Sequence, residues 1–193
     1  VVFAGWLLSK PIIIHEQTLV SGLANKISGL FADSIAVSFK TNGKFRNKKI
    51  MLTGNPLREE ILYPDSKVSA EYQKIIRVAR KENLPVILIT GGNQGSHAIN
   101  IVVEQSLNEL TKNACIIHVT GDSKFNDFER LKKLEDDQYL VKKWIGKEYG
   151  HVLSKVALVV CRAGINSLTE IAYMEEPALV IPIPYLYQDE QNK

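Results

Sequence analysis

The sequence has few cysteines, little net charge and no long hydrophobic segment. Its two cysteines, Cys115 and Cys161, lie in apolar runs without metal-ligand spacing, so we expect buried, reduced thiols of a cytosolic protein. The formal net charge is +3, a small excess that does not indicate nucleic acid, and we predict no nucleic-acid partner. No apolar run approaches the roughly 18 residues of a membrane-spanning helix, and the first residues lack the features of a signal peptide.

Regular structure is predicted along nearly the whole chain. Hydrophobic residues make up 45% of the sequence and charged residues 23%, which suits a packed core. Short apolar runs alternate with helical patterns, which predicts an α/β fold with parallel sheets covered on both faces. The best domain boundary is TGNPLR at 53–58, where Pro56 disfavours helix before it. The predicted strands lie at 11–15, 34–39, 50–53, 85–90, 114–119, 138–141, 157–161 and 178–181.

Two segments combine an apolar strand, a glycine turn and the start of a helix. They are PVILITGGNQGSHAIN at 85–100 and VVCRAGINSLTEIA at 159–172. Such a turn presents free backbone N–H groups and the positive end of a helix dipole to an anion. Both turns would lie at the carboxyl ends of parallel strands, where open α/β sheets bind ligands. The sequence therefore predicts a phosphate-bearing ligand, with a nucleotide as the leading candidate.

The first glycine turn has a structural and a functional interpretation. Its glycines can serve tight packing of strand on helix. Alternatively, Gly91 and Gly92 let the backbone approach a diphosphate, while Asn93, Gln94 and Ser96 supply donors. Polar side chains between glycines gain nothing in a purely structural turn, so we favour the functional interpretation.

The second glycine turn leaves two alternatives open. We expect Gly164 to take a special backbone conformation, and Asn166 and Ser167 to cap the following helix. Ser167 and Glu170 match a capping box, which is the structural alternative to a Glu170 that binds ligand. Arg162 either approaches the phosphate or holds the turn.

Six segments follow one another along the chain: PIIIHEQ at 11–17, FADSIAVSF at 31–39, TGNPLR at 53–58, GGNQGSHAIN at 91–100, CRAGINSLTEIA at 161–172 and PALVIPIPYLYQDEQNK at 177–193. In sequence and order they resemble segments of the MurG-type glycosyltransferases. The resemblance implies a GT-B fold, with two Rossmann-like domains that contain parallel sheets. Residues 1–56 would be the later part of an incomplete acceptor-side and membrane-side domain, and residues 57–193 most of the domain that binds the UDP-sugar donor.

The same resemblance implies an activity. The family transfers N-acetylglucosamine, with inversion, from UDP-N-acetylglucosamine to the 4-hydroxyl of the muramoyl sugar of lipid I, which gives lipid II in peptidoglycan synthesis. It implies no cofactor and no metal, because helix N-termini and glycine-turn N–H groups stabilise the leaving UDP. The alternatives are another GT-B glycosyltransferase, a UDP-sugar epimerase, or an inactive fragment that binds UDP-sugar.

A location and a membrane contact also follow from the resemblance. We expect peripheral contact with the anionic inner membrane, at the cytoplasmic face of the bacterial cell membrane. The basic loop KTNGKFRNKK at 40–49 is a candidate for this contact, and a solvated loop is the alternative.

The resemblance assigns binding roles to individual residues. Arg58 would contact the donor nucleotide, the backbone of Ile145 would read the uracil edge, and Glu170 would bind the ribose hydroxyls. Gln191 would meet the sugar hydroxyls, and Thr18 stands where the family usually has a sugar-contacting Asn. The predicted substrate-binding residues are Thr18, Arg58, Asn93, Ile145, Ile165, Asn166, Ser167, Leu168, Thr169, Glu170 and Gln191, and the predicted phosphate turns contain Gly91, Gly92, Gln94, Gly95 and Gly164.

The resemblance leaves the catalytic residues unknown. The family's candidate base lies in a glycine-rich loop that would precede Val1. We therefore expect the 193-residue chain to bind UDP weakly without transferring sugar.

Overall fold

Two compact units make up the part of the chain that the computed structural model describes, which is residues 1–40 and 49–183, with the side chain of Lys49 left out. The units are Val1–Pro56 and Leu57–Ile183, so the division falls within the predicted boundary at 53–58. The acceptor-side and donor-side roles assigned to them stay predictions. Gln191 and most of the predicted basic loop lie outside the described residues.

The first unit is built on a small parallel sheet with the order β1-β2-β3. Burial alternates along β2, where Ile35 and Val37 are inside, as expected for side chains that point to opposite faces of a strand. These two residues pack with Ile12, Ile14 and Ala32 into a separate core. The elements are α1 (Val2–Leu7), β1 (Ile13–Glu16), α2 (Leu23–Ser28), β2 (Ser34–Val37) and β3 (Lys49–Leu52).

The second unit is a doubly wound parallel sheet with the order β6-β5-β4-β7-β8. The chain runs outward from β4 to β6 and then returns to the other side of β4 with β7 and β8. Sheets of this kind bind ligands where the strand order reverses, which here lies beyond the carboxyl ends of β4 and β7. The elements are α3 (Glu59–Leu62), α4 (Ala70–Glu82), β4 (Val86–Thr90), α5 (His97–Thr111), β5 (Cys115–Val119), α6 (Asp127–Lys132), β6 (Tyr139–Lys142), α7 (Tyr149–Leu153), β7 (Leu158–Cys161), α8 (Ile165–Tyr173) and β8 (Ala178–Val180).

Helices cover the two faces of this sheet and divide its core into two clusters. Tyr72, Ile75 and Ala79 of α4 are buried at helical spacing in one cluster. Ile99 and Val103 of α5 are buried in the other. All five residues of β5 are buried, which explains why this strand is a near-continuous apolar run.

The predicted α/β class with parallel sheets is confirmed, and so are all eight predicted strands, each to within two residues at either end. Both cysteines are buried and free, as expected. The short helix α3 is missing from the sequence-based prediction. No helix within residues 1–40 and 49–183 combines the length and the apolar character needed to cross a membrane.

Candidate functional site

Predicted binding residues from distant parts of the second unit line one cleft at the carboxyl ends of its strands. The cleft brings together Arg58, Gly92, Asn93, Ile145 and Ser167. Its volume is about 60 Å³, far below the roughly 300–1,000 Å³ of a pocket that encloses a ligand. The cleft can therefore enclose only a small part of a ligand, and the rest would lie along the surface beside it. The remaining wall consists of Thr90, Val119, Trp144 and Tyr149.

Arg58 and Glu170 form a two-pronged ion pair beside this cleft. Arg58 Nε donates to Glu170 Oε1 at 2.6 Å, and Arg58 Nη2 donates to Oε2 at 2.8 Å. The Glu170 side chain is only 6% exposed, whereas that of Arg58 is 46% exposed. The guanidinium also lies 4.5 Å from the ring centroid of Tyr149, a cation–π distance. One face of Arg58 is therefore fixed, and the rest of its head is open to a ligand.

Glycine is required at two positions of the first turn. Gly95 has φ +73°, and a Cβ there would overlap the Thr120 carbonyl oxygen. At Gly91 a Cβ would overlap the backbone nitrogen of Ser96. Gly92 has φ +82°, and its N–H donates to Thr90 Oγ1 at 3.1 Å. The turn thus lies directly against the neighbouring backbone, while the Asn93 and Gln94 side chains are exposed at its tip.

The backbone at Asn93 is held by residues that follow the neighbouring strands. Its carbonyl oxygen accepts from the Asp122 N–H at 3.3 Å and from Trp144 Nε1 at 3.3 Å. Lys143 Nζ lies 4.8 Å from the Trp144 ring centroid and pairs with Asp122 at 2.6 Å. The turn after β4 is therefore connected to the segments after β5 and β6, and Ile145 follows directly.

The predictions for the second turn need correction. Gly164 has φ −76° and ψ 128°, an ordinary extended conformation, so the expectation of a special backbone conformation is wrong. Gly164 is itself the N-cap of α8, and no side chain caps this helix, so neither Asn166 nor Ser167 is the cap. The capping box is excluded because Ser167 lies inside the helix, three residues after the N-cap Gly164. Both Glu170 oxygens instead accept from Arg58, and the ligand-binding role of Glu170 stays a prediction.

The other predicted residues of this turn lie on the first turns of α8. Ile165, Asn166, Ser167, Leu168 and Thr169 are all part of the helix. The Thr169 hydroxyl donates to the Ile165 carbonyl oxygen at 2.8 Å, and Leu168 packs against the core. Of these five residues, only Ser167 lines the cleft.

A buried polar network lies behind the first turn. Asp127 Oδ2 accepts from Asn100 Nδ2 at 2.9 Å, and Asn100 Oδ1 is 3.0 Å from His118 Nε2. His118 Nδ1 is in turn 2.8 Å from the Tyr139 hydroxyl. Burial lowers the pKa of His118 to about 4, so its ring is neutral at pH 7. Because Asn100 Oδ1 can only accept, Nε2 carries the proton and Nδ1 accepts from Tyr139.

His97 contacts the same carboxylate from the first residue of α5. Its Nδ1 lies 2.9 Å from Asp127 Oδ1, and its ring stacks on Phe125 at 4.0 Å. Burial alone would raise the pKa of Asp127, but hydrogen bonds from Ser123, Asn100, His97 and Arg130 outweigh burial and lower that pKa to about 2. His97 is therefore a hydrogen-bond partner of the Asp127 carboxylate.

Thr18 belongs to the first unit and is described there by itself. Its hydroxyl lies 2.8 Å from Glu16 Oε1 and 2.8 Å from the Val20 carbonyl oxygen. Glu16 is buried and also accepts from the Gly22 N–H and from Asn25 Nδ2. Thr18 therefore contributes to the structure of the loop after β1, and its predicted contact with the donor sugar stays a prediction.

A larger cavity of about 580 Å³ lies at the opposite end of the second sheet. It is lined by residues at the end of α4 and at the beginnings of β4 and β7, among them Arg80, Val86 and Ala157. Sheets of this type bind ligands at the carboxyl ends of their strands, so the smaller cleft is the better candidate. No group of three or more His, Cys, Asp or Glu side chains suited to a metal ion occurs within the described ranges.

Trp144 and Tyr149 are site residues that the sequence analysis missed. Trp144 is half exposed at the cleft and holds Asn93, and Tyr149 is buried below Arg58. Burial, with the nearby Glu170 carboxylate, raises the pKa of Tyr149 to about 12, so its phenol stays neutral. An aromatic residue directly before Ile145 was the available signal for Trp144. Nothing local marks Tyr149.

Comparisons with known proteins agree with this geometry. Residues 86–193 match the glycosyltransferase family 28 C-terminal domain. The chain is 34% identical over 184 residues to UDP-N-acetylglucosamine–N-acetylmuramyl-(pentapeptide) pyrophosphoryl-undecaprenol N-acetylglucosamine transferase 2 of Bacillus anthracis, with 95% of this chain and 50% of that protein covered. It is 30% identical over 194 residues to the transferase of Prochlorococcus marinus (strain AS9601), with 100% and 50% covered.

A solved structure is also similar. The crystal structure of Acinetobacter baumannii MurG superposes with a TM-score of 0.65 at 26% identity, over 99% of this chain and 51% of that one. The chain thus spans about half the length of the relatives that it matches. Because the family domain covers more than half of the sequence and the fold agrees, this chain belongs to glycosyltransferase family 28.

Proposed function

We propose that the chain supplies the donor-nucleotide half of a transferase that moves N-acetylglucosamine from UDP-N-acetylglucosamine to lipid I, which gives lipid II. One observation supports this proposal most strongly. The Arg58–Glu170 pair and the first glycine turn lie at the same cleft, where the strand order of the sheet reverses. The names of the relatives specify an N-acetylglucosamine transferase that acts on N-acetylmuramyl-(pentapeptide) pyrophosphoryl-undecaprenol.

Each part of UDP has a matching feature in the second unit. The small cleft beside Ile145 would take the base, and the backbone N–H and C=O of Ile145 would pair with the uracil edge. Glu170 suits the ribose, because a carboxylate accepts from two neighbouring hydroxyls. The diphosphate would lie against the turn from Gly91 to Gly95, at the positive end of α5.

The chemical step transfers the sugar with inversion. The acceptor 4-hydroxyl attacks the anomeric carbon as the bond from that carbon to the UDP oxygen breaks, and the hydroxyl proton goes to a base. Negative charge then grows on the departing diphosphate. The α5 N-terminus and the N–H groups of the glycine turn stabilise this charge without a metal.

The acceptor sets the location of the reaction. An undecaprenyl chain belongs in the bilayer, so the protein that uses lipid I must work at a membrane surface. We therefore propose peripheral contact with the cytoplasmic face of the bacterial membrane.

Calorimetry with the 193-residue chain tests the nucleotide assignment. We expect UDP and UDP-N-acetylglucosamine to bind, and ADP and GDP to bind at least about tenfold more weakly, because the site rejects a base whose edge leaves its polar groups unpaired. Equal affinity for all nucleotides, or no binding of UDP, would contradict the proposal. Turnover of a lipid I analogue, by a protein of the relatives' length that contains this sequence, tests the acceptor separately.

A further inference from the structure

Arg162 joins the first glycine turn to the chain that follows β8. It is the first residue after β7. Its Nε and Nη2 donate to Ser96 Oγ at 3.1 and 2.7 Å, and its Nη1 donates to the carbonyl oxygens of Ile181 at 3.2 Å and Pro182 at 2.9 Å. One guanidinium thus connects segments that are 66 and about 20 residues away in sequence.

Ser96, which Arg162 contacts, lies where the first glycine turn ends and helix α5 begins. It is the N-cap of α5, and its Oγ accepts from the Ile99 N–H at 3.5 Å. This cap bond is long, so the position of the Ser96 side chain depends strongly on its two contacts with Arg162. Ser96 is 9% exposed, which places these contacts inside the protein rather than at its surface.

The hydrogen-bond partners of Arg162 are uncharged, unlike those of Arg58 and Arg130 in the same unit. Arg58 pairs with Glu170, and Arg130 pairs with Asp127 and Glu104. Within the described residues, every recorded partner of Arg162 is a neutral oxygen. Four of its five N–H donors suffice for these contacts, so the side chain is used mainly as a rigid fork.

We propose that Arg162 is a positioning residue for the donor diphosphate, which acts by clamping the Ser96 cap to the chain after β8. The inference rests on the proposed function. A lysine cannot reproduce the fork, because one ammonium cannot reach Ser96 and both carbonyl oxygens in the same geometry. The geometry of the clamp, and not the positive charge alone, then determines how well the turn binds a diphosphate.

The test compares Arg162→Lys, Ser96→Ala and the double variant in the 193-residue chain, titrated with UDP and with uridine. We expect each single variant to weaken UDP binding by about tenfold, the scale of a lost hydrogen bond, while uridine affinity changes by less than about twofold. We expect the double variant to bind UDP no more weakly than either single variant, because both changes release the same clamp. Arg77→Lys, an exposed arginine on α4, is the matched control.

Three results would overturn the inference. Unchanged UDP affinity in Arg162→Lys would show that charge alone suffices. Equal losses for UDP and uridine would indicate a general structural defect. Additive losses in the double variant would indicate that Arg162 contacts the phosphate directly instead of acting through Ser96.

Amide hydrogen exchange of the unliganded chain separates this inference from the proposed function. Arg162→Lys should reduce protection at the Ile99 and Ile181 amides together, since one side chain holds both segments. Loss at only one of them, or at neither, would refute the clamp. If the unsubstituted chain fails to bind UDP, the proposed function is refuted, and the exchange data still decide whether the clamp exists.

Discussion

Removing the Glu170 carboxylate provides the sharpest test of the ribose assignment. The perturbation is Glu170→Gln, which keeps the size of the side chain and removes its charge. If Glu170 accepts a hydrogen bond from the ribose 2′-hydroxyl, the unsubstituted chain should prefer UDP to 2′-deoxy-UDP. A hydrogen bond to a charged group contributes about 1.5–3 kcal/mol, which corresponds to a preference of roughly 10- to 100-fold.

The magnitude expected for the variant follows from the contacts of Glu170. A glutamine offers a neutral acceptor in place of a charged one, and its NH2 group cannot accept from Arg58. We therefore expect the preference for UDP over 2′-deoxy-UDP to shrink to a few-fold. Arg58 is 46% exposed, so solvent compensates much of its lost partner, and we expect a stability loss of only about 1–2 kcal/mol.

The assay is the ratio of the two affinities, measured by calorimetry on the same protein preparation. A ratio has the advantage that a partly unfolded sample lowers both affinities alike. Glu109→Gln is the matched control, because it neutralises an exposed carboxylate of α5 whose recorded side-chain partner is Lys112. If Glu170 only holds Arg58, the variant will weaken both ligands equally and keep the ratio, and the ribose assignment will then be wrong.

Two further predictions concern stability. The pKa of His118 is about 4 in the folded protein and about 6.5 in the unfolded chain, so folding favours the neutral ring. The stability from this difference is fully present above pH 6.5 and is lost as the pH falls towards 4. We expect the free energy of unfolding, measured by urea denaturation, to fall by about 3 kcal/mol over that range, and His118→Gln should abolish this loss. Gly95→Ala should lower the free energy of unfolding by at least about 2 kcal/mol, because a Cβ at this positive φ would overlap the Thr120 carbonyl oxygen. Gly146→Ala is the control and should change the melting temperature little, because nothing lies within 4 Å of a Cβ there. Equal melting temperatures of the two variants would contradict the close approach at Gly95.

The strands were predictable because their signal is local. A parallel strand covered on both faces must be apolar at nearly every position, and β5, which is buried throughout, shows this pattern directly. The turn after β4 was predictable for the same reason. Its backbone has positive φ at Gly92 and Gly95, a conformation that favours glycine, so the glycines in the sequence indicate the turn. Helix α3 was missed because four residues are too few to show a period.

The partners of the polar side chains were not predictable, because they are set by tertiary structure. Glu170 and Ser167 fit a capping box by their spacing, yet Glu170 pairs with Arg58 from 112 residues away. Arg162 likewise contacts Ser96, because Arg162 follows β7, Ser96 lies beyond the end of β4, and these two strands are neighbours in the sheet. Local spacing proposes candidate residues, and the tertiary structure decides which of them lie together.

The ion pair at Glu170 is compatible with a ribose contact, although both carboxylate oxygens already accept from Arg58. A carboxylate offers about four lone-pair sites, and Arg58 uses two of them. The remaining sites can accept from ribose hydroxyls while Arg58 stays in place. A buried carboxylate without a partner would be costly, and the two hydrogen bonds from Arg58 offset that cost and fix the orientation of the Glu170 side chain. If the ribose binds Glu170 as proposed, the pair is already oriented for the nucleotide, and substitution of either Arg58 or Glu170 should weaken UDP binding.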